Sequence, residues 1–119
     1  MKRLIVVLLL GLLLALPYRA DAISVGDSAQ VSWKGKWYPS KILEISGSRM
    51  LIHYDGFESS WDEWVSMDRV KIEVLWKDKW YKARTLQSSE EDGKVLIHYE
   101  GYENSWDERV PLDRIRAAR

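Results

Sequence analysis

The feature that most limits what this chain can fold into is an internal duplication. Val31 to Lys41 (VSWKGKWYPSK) returns as Val74 to Arg84 (VLWKDKWYKAR), so that Trp33, Trp37 and Tyr38 recur as Trp76, Trp80 and Tyr81, displaced by 43 residues. Ile52 to Glu63 (IHYDGFESSWDE) returns as Ile97 to Glu108 (IHYEGYENSWDE), displaced by 45, and Arg69 and Arg114 keep that second displacement. The change places a two-residue insertion around Gln87 to Gly93, where the polar run from Ser88 to Gly93 suits a solvent-facing turn. A repeat of this kind means one supersecondary unit built twice.

Within each copy the period of the apolar pattern is two. Met50, Ile52 and Tyr54 alternate with Leu51, His53 and Asp55, and Val95, Ile97 and Tyr99 alternate with Leu96 and His98. Alternation with β-branched and aromatic residues, bounded by Gly and Ser, predicts strands. Gly56 and Gly101 supply the positive φ of a tight reversal. The expected strands are 29–34, 37–45, 49–54, 61–65 and 69–74 in copy one. In copy two they are 73–77, 79–87, 94–99, 106–110 and 114–116, with single 3₁₀ turns at Ser66 to Asp68 and Pro111 to Asp113. Five short strands in so few residues predict a small closed barrel, because closure removes exposed edges. Arg69 to Trp76 contains no Pro, Gly or Ser, so the two copies are expected to join stiffly. The expected fold class is all-β, two tandem five-stranded SH3-like barrels over 23–72 and 73–119, preceded by a helical signal peptide at 1–22.

The signal peptide rests on Met1-Lys2-Arg3, the apolar run Leu4 to Leu16 and the small-x-small triplet Ala20-Asp21-Ala22. The run is shorter than the ~20 residues a membrane span needs. It predicts an exported protein, periplasmic or secreted, cleaved after Ala22 and meeting the membrane only during export. There is no cysteine, which removes disulfides, thiol catalysis and thiolate metal sites, and leaves packing to hold the fold. The seven Trp residues, all beyond residue 22, are the expected source of that packing. Eighteen basic and eighteen acidic residues cancel to a net charge of +0, which gives no overall electrostatic pull toward nucleic acid.

The block W-Y-x-[AS]-[KR], I-H-Y-x-G-[FWY]-x-x-x-W-D-E and a closing R-[VI] resembles the chromo-barrel and Tudor-knot branch of the Tudor-like, SH3-like barrels, related to agenet domains. The resemblance covers nearly all of residues 23–119, twice. It implies a non-enzymatic reader whose aromatic cage receives methylated lysine; some members bind nucleic acid. Carried over, it implies one cage from Trp33, Tyr38, Tyr54, Phe57 and Trp61, and another from Trp76, Tyr81, Tyr99, Tyr102 and Trp106. Electron-rich ring faces attract a methylated or quaternary ammonium by cation–π contact, worth up to about 2 kcal/mol when desolvated. Asp55, Glu58, Glu100 and Glu103 add acidic surroundings.

Small barrels are also filled by aromatics, so core and cage stand even for Tyr54 and Tyr99, while Trp37 and Trp80 are expected to pack. Trp61 and Trp106 follow a polar loop at an expected strand start, where cage use is favoured. His53 and His98 occur once per copy on the outward face and read as surface residues, and Asp62 and Asp107 as turn caps or partners of backbone. Glu63 and Glu108 do not make a catalytic pair, and no G-x-S-x-G, H-E-x-x-H or Gly-rich phosphate loop occurs, so no enzyme, cofactor or metal is expected. The partner class is a protein or peptide, or a methyl-lysine or choline-like ligand. A structural tandem barrel with its aromatics in the core is the alternative. Nucleic-acid binding through Lys34, Lys36, Lys77, Lys79, Lys82 and Arg84 is a weaker one. The sequence leaves the oligomeric state open.

Overall fold

The computed structural model describes residues 21–89 and 91–118. The expected signal peptide therefore lies almost wholly outside the described residues. Among those described there is no α-helix; nine strands and four single 3₁₀ turns make two antiparallel sheets. In the first, β1 (Ser28–Trp33), β2 (Lys36–Ser46), β3 (Arg49–Tyr54) and β4 (Glu63–Ser66) are hydrogen-bonded in chain order. In the second, β5 (Ile72–Trp76), β6 (Lys79–Ser88), β7 (Val95–Tyr99), β8 (Glu108–Val110) and β9 (Ile115–Ala117) lie in the order β8-β7-β6-β5-β9.

The turns explain the hairpins. Lys34 and Gly35 both have positive φ (47° and 80°), as do Lys77 and Asp78 (47° and 67°), the pattern of a type I′ connection that matches the twist of its strands. A Gly is free of the Cβ strain that Asp78 carries there. Asp78→Gly is expected to raise stability by about 0.5 kcal/mol, read from the denaturation midpoint. The long strands β2 and β6 are each broken by a register shift, between Ile42 and Glu44 and between Thr85 and Gln87. The extra residues at these bulges, Leu43 and Leu86, face out, and the bend lets one strand wrap around the core.

Copy one departs from the expected five strands. Its closing segment, expected at 69–74, touches β1 only through a single bridge, Val31 with Val70, and the chain then becomes β5 of the second sheet. In copy two the matching segment is a true strand, with β9 paired to β5 from Ile72–Ala117 to Val74–Ile115. Val70 is extended, Lys71 alone separates it from β5, and β5 pairs only with strands of the second sheet. The N-terminal segment and the C-terminus tie the copies further. Ile23 N–H donates to the Ile115 carbonyl at 2.8 Å, and Ala118 N–H to the Lys71 carbonyl at 2.8 Å.

The core is mainly aliphatic, with Tyr54 and Tyr99 as its buried aromatic members. Val31, Ile42, Met50, Ile52, Val65, Met67 and Ile72 of the first half join Val74, Val95, Ile97, Val110 and Ile115 of the second in one continuous buried cluster. The expectation that Trp residues supply the packing is corrected here. Trp37 is 47% exposed on the outer face, its ring 5.4 Å from the Lys71 ammonium, and Trp80 lies 4.4 Å from the Arg116 guanidinium. The reason is the strand period. Trp37 pairs across from Ser32 on the face opposite Val31 and Tyr38, so the alternation that buries one residue expels the next. Trp64 is likewise exposed, and at the matching position Arg109 pairs with Asp92 at 3.0 Å.

Candidate functional site

Each copy gathers five aromatic rings around an open concavity. Trp33, Tyr38, Tyr54, Phe57 and Trp61, together with Glu63, surround a cavity of about 80 Å³. Trp76, Tyr81, Tyr99, Tyr102 and Trp106 surround one of about 230 Å³. The rings meet edge to face throughout. In copy one Trp33 stands 6.1 Å from Tyr38 at 68° and 6.3 Å from Trp61 at 76°, and Tyr38 stands 6.0 Å from Phe57 at 82°. Copy two repeats this, with Trp76 5.9 Å from Trp106 at 76° and Tyr81 6.0 Å from Tyr102 at 84°. Perpendicular contact keeps ring faces from stacking on one another and leaves them open to a cation.

Local structure sets where each ring stands. Trp33 and Tyr38 come from the two sides of the first hairpin, and Tyr54 ends β3. Phe57 follows Gly56, whose φ of 82° turns the chain sharply enough to bring the Phe57 N–H back to the Tyr54 carbonyl at 3.1 Å. Trp61 closes a 3₁₀ turn, Ser59–Trp61, in which its N–H donates to Glu58 O at 3.0 Å. Trp106 does the same in Asn104–Trp106. These two Trp residues thus sit on turns, not at the strand starts expected from sequence. The polar loop tightens into a 3₁₀ turn, and the strand begins only at Glu63 or Glu108.

Tyr54 and Tyr99 are each 6% exposed, and both serve as core and as cavity floor. Their hydroxyls are held by a network that sequence reasoning missed. Tyr54 Oη donates to Glu63 Oε2 at 2.7 Å and accepts from Arg69 Nη2 at 2.9 Å. Arg69 also pairs with Glu63 at 3.1 Å and donates from Nε to the Ser32 carbonyl at 2.9 Å. In copy two Tyr99 donates to Glu108 at 2.6 Å, and Arg114 pairs with Glu108 at 2.9 Å and donates to the Leu75 carbonyl at 2.9 Å. The available signal was the shared spacing: Tyr, Glu and Arg recur in both copies with nothing else to require them.

The network moves the titration of its members. Burial first, then the hydrogen bond to Glu63, pushes Tyr54 from 10.0 up to about 12, and Tyr99 rises for the same causes. The Arg69 and Arg114 guanidiniums hold Glu63 and Glu108 below their ordinary 4.5. A raised Tyr stabilises the fold below pH 10 and loses that contribution as pH rises toward 12. A lowered Glu stabilises above pH 4.5 and loses it as pH falls further. Stability followed by thermal unfolding is therefore expected to be flat between these limits and to fall on both sides.

His53 and His98, expected at the surface, are partly buried, and each has a partner. Their Nδ1 atoms sit 2.7 Å from Asp62 and Asp107, the residues that cap the two 3₁₀ turns. Asp62 and Asp107 are thus engaged by a side chain across from β3 and β7 as well as closing the turn through their own N–H. This ties the turns carrying Trp61 and Trp106 to the sheet. No cluster of three or more metal-ligating side chains occurs among the described residues.

Comparison with known proteins agrees with this architecture. The family described as "Tudor-knot: RNA binding activity-knot of a chromodomain" matches residues 23–72 and again 71–117. A stretch of 27 residues is 56% identical to part of Chromatin modification-related protein EAF3 of Saccharomyces cerevisiae (strain ATCC 204508 / S288c). That stretch is 23% of this chain and 7% of the yeast protein, so the likeness concerns one small part of that relative. The expectation of an exported, periplasmic or secreted protein is overturned by these matches. They are to a chromodomain knot and a chromatin modification-related protein, and chromatin is inside the cell. Matched over most of its length, this chain belongs to the Tudor-knot family.

Proposed function

We propose that this protein is a non-enzymatic binding module that holds a methylated or quaternary ammonium group in its aromatic cages, presented on a peptide or as a small cation. The observation that carries this reading is the pair of five-ring concavities, whose outer walls are little used for packing. Trp61 is 56% and Trp106 54% exposed. A structural barrel whose aromatics fill the core has no need of them there. The likeness to a chromatin modification-related protein favours a peptide of chromatin as the bearer of the group.

The test is a titration of a trimethyllysine peptide, followed by Trp fluorescence. Saturable quenching is expected, weakened at least about tenfold when Trp61 and Trp106 are both changed to Ala, since each lost ring removes a cation–π contact. Two folded proteins, wild type and double variant, that respond alike would refute the reading.

The family's description favours a second reading, RNA binding. Exposed Trp37 beside Lys71, with Lys41 on the same face of β2, forms a surface of stacking and charge. Binding of an RNA oligonucleotide that weakens steeply with salt would support it. No binding at low ionic strength would dismiss it.

A further inference from the structure

The backbone ladder between β3 and β4 ends at Ile52 with Glu63, and that between β7 and β8 at Ile97 with Glu108. Carried one step further in the same register, it sets His53 opposite Asp62 and His98 opposite Asp107. A second step sets Tyr54 opposite Trp61 and Tyr99 opposite Trp106, the floor and an outer wall of each cage. The backbone does not follow that register, because it leaves the ladder for the 3₁₀ turns Ser59–Trp61 and Asn104–Trp106. In place of a backbone rung stand the side-chain bonds of His53 with Asp62 and of His98 with Asp107, both 2.7 Å long. From this, and resting on the cage reading above, we infer that His53 and His98 are positioning residues of the two cages. Each holds its cage Trp in place through the Asp that follows that Trp, and so sets the affinity for the ammonium group.

Little else fixes these turns. None of their residues is buried, and neither Glu58 nor Glu103 caps its turn with a side chain. The backbone bonds from Trp61 N–H to Glu58 O and from Asp62 N–H to Ser59 O stay within the turn, and copy two repeats them. Each Trp also meets one neighbouring ring edge to face, Trp61 with Trp33 and Trp106 with Trp76. Among the described residues, the bond that each Asp makes to its His is the one side-chain hydrogen bond between turn and sheet. An ionised carboxylate only accepts, so Nδ1 carries the hydrogen, and the charge on the acceptor strengthens the bond. All four side chains are mostly shielded, so water competes for it only in part. A turn released from this bond moves as a fraying end does, and its Trp faces the cavity for only part of the time. Apparent affinity then falls in proportion to that fraction.

The experiment uses the whole chain and a trimethyllysine peptide titrated calorimetrically. His53→Leu together with His98→Leu removes both donors and is expected to weaken binding about tenfold, the weight of one charge-assisted hydrogen bond. In a nitrogen–proton correlation spectrum the indole N–H signals of Trp61 and Trp106 are expected to broaden, while those of Trp37 and Trp80 stay in place. His53→Asn together with His98→Asn is expected to restore both affinity and spectrum, because the Asn amide nitrogen stands where Nδ1 stood. Asp62→Ala together with Asp107→Ala keeps the backbone N–H that closes each turn and loses the acceptor. It is expected to match the Leu pair, and it decides the matter where the Leu pair does not fold. Leu or Ala pairs that bind as tightly as wild type overturn the inference while leaving the cage reading intact. Asn variants as weak as the Leu variants overturn it as well, since they retain the donor. Failure of the wild-type chain to bind the peptide overturns both readings.

Discussion

Cut between its repeats, the protein is expected to unfold on both sides. A chain ending at Lys71 loses β5, and with it Ile72, which is buried at the junction of the two halves. It also strips Ile23 of its carbonyl partner at Ile115. A chain beginning at Ile72 keeps its five strands but loses the Ile23 segment along β9 and the Lys71 carbonyl that receives Ala118 N–H. The matched part of each fragment, 23–71 or 72–119, holds fewer than 50 residues, a size at which the buried fraction of the surface barely offsets chain entropy without disulfides or metal. There are no cysteines to help. Both fragments should show the circular dichroism of an unfolded chain, and the intact protein a single unfolding transition. Two separate transitions, or a fragment that folds cooperatively, would show that the continuous core is not cooperative.

Arg69→Ala and Arg114→Ala should each cost about 2 kcal/mol, the scale of losing charge-assisted hydrogen bonds at a partly buried site. The reasoning is one of partners left behind. Without Arg69 the Glu63 carboxylate, the Tyr54 hydroxyl and the Ser32 carbonyl lose a shared donor. Arg69 and Glu63 side chains remain about a third exposed, so water compensates in part and the cost stays below that of a fully buried pair. For a chain of this size the melting point should fall by about 10 °C. Lys will not substitute, because its single ammonium does not reach a backbone carbonyl and a carboxylate with the geometry of a planar fork. Ligand affinity should fall too, since Tyr54 then loses the anchor of the cavity floor. A variant with unchanged melting point would mean that the network is incidental.

Much of this was legible before any coordinates. The displaced repeat, the alternation of Met50, Ile52 and Tyr54 and the turn glycines led to an all-β tandem, because strand period and turn chemistry are local properties. What misled was inference from residue type without direction. Trp looked like core because it is large and apolar, yet Trp37 alternates with buried neighbours and is pushed outside. The N-terminus misled as well, where a basic start, an apolar run and a small-residue triplet suggested export.

The sequence by itself determined that one small β unit occurs twice, where its strands and reversals lie, and which aromatic residues recur. Only the tertiary structure decided that the repeats share one continuous core. It alone showed Glu63 and Arg69 gripping the hydroxyl of Tyr54, and Glu108 and Arg114 that of Tyr99. Those relations join residues far apart in the chain, and sequence pattern reports only what neighbours along the chain require. The duplication remains the main constraint on the fold, and the two copies it produces carry the same ring arrangement and the same hydrogen-bond network.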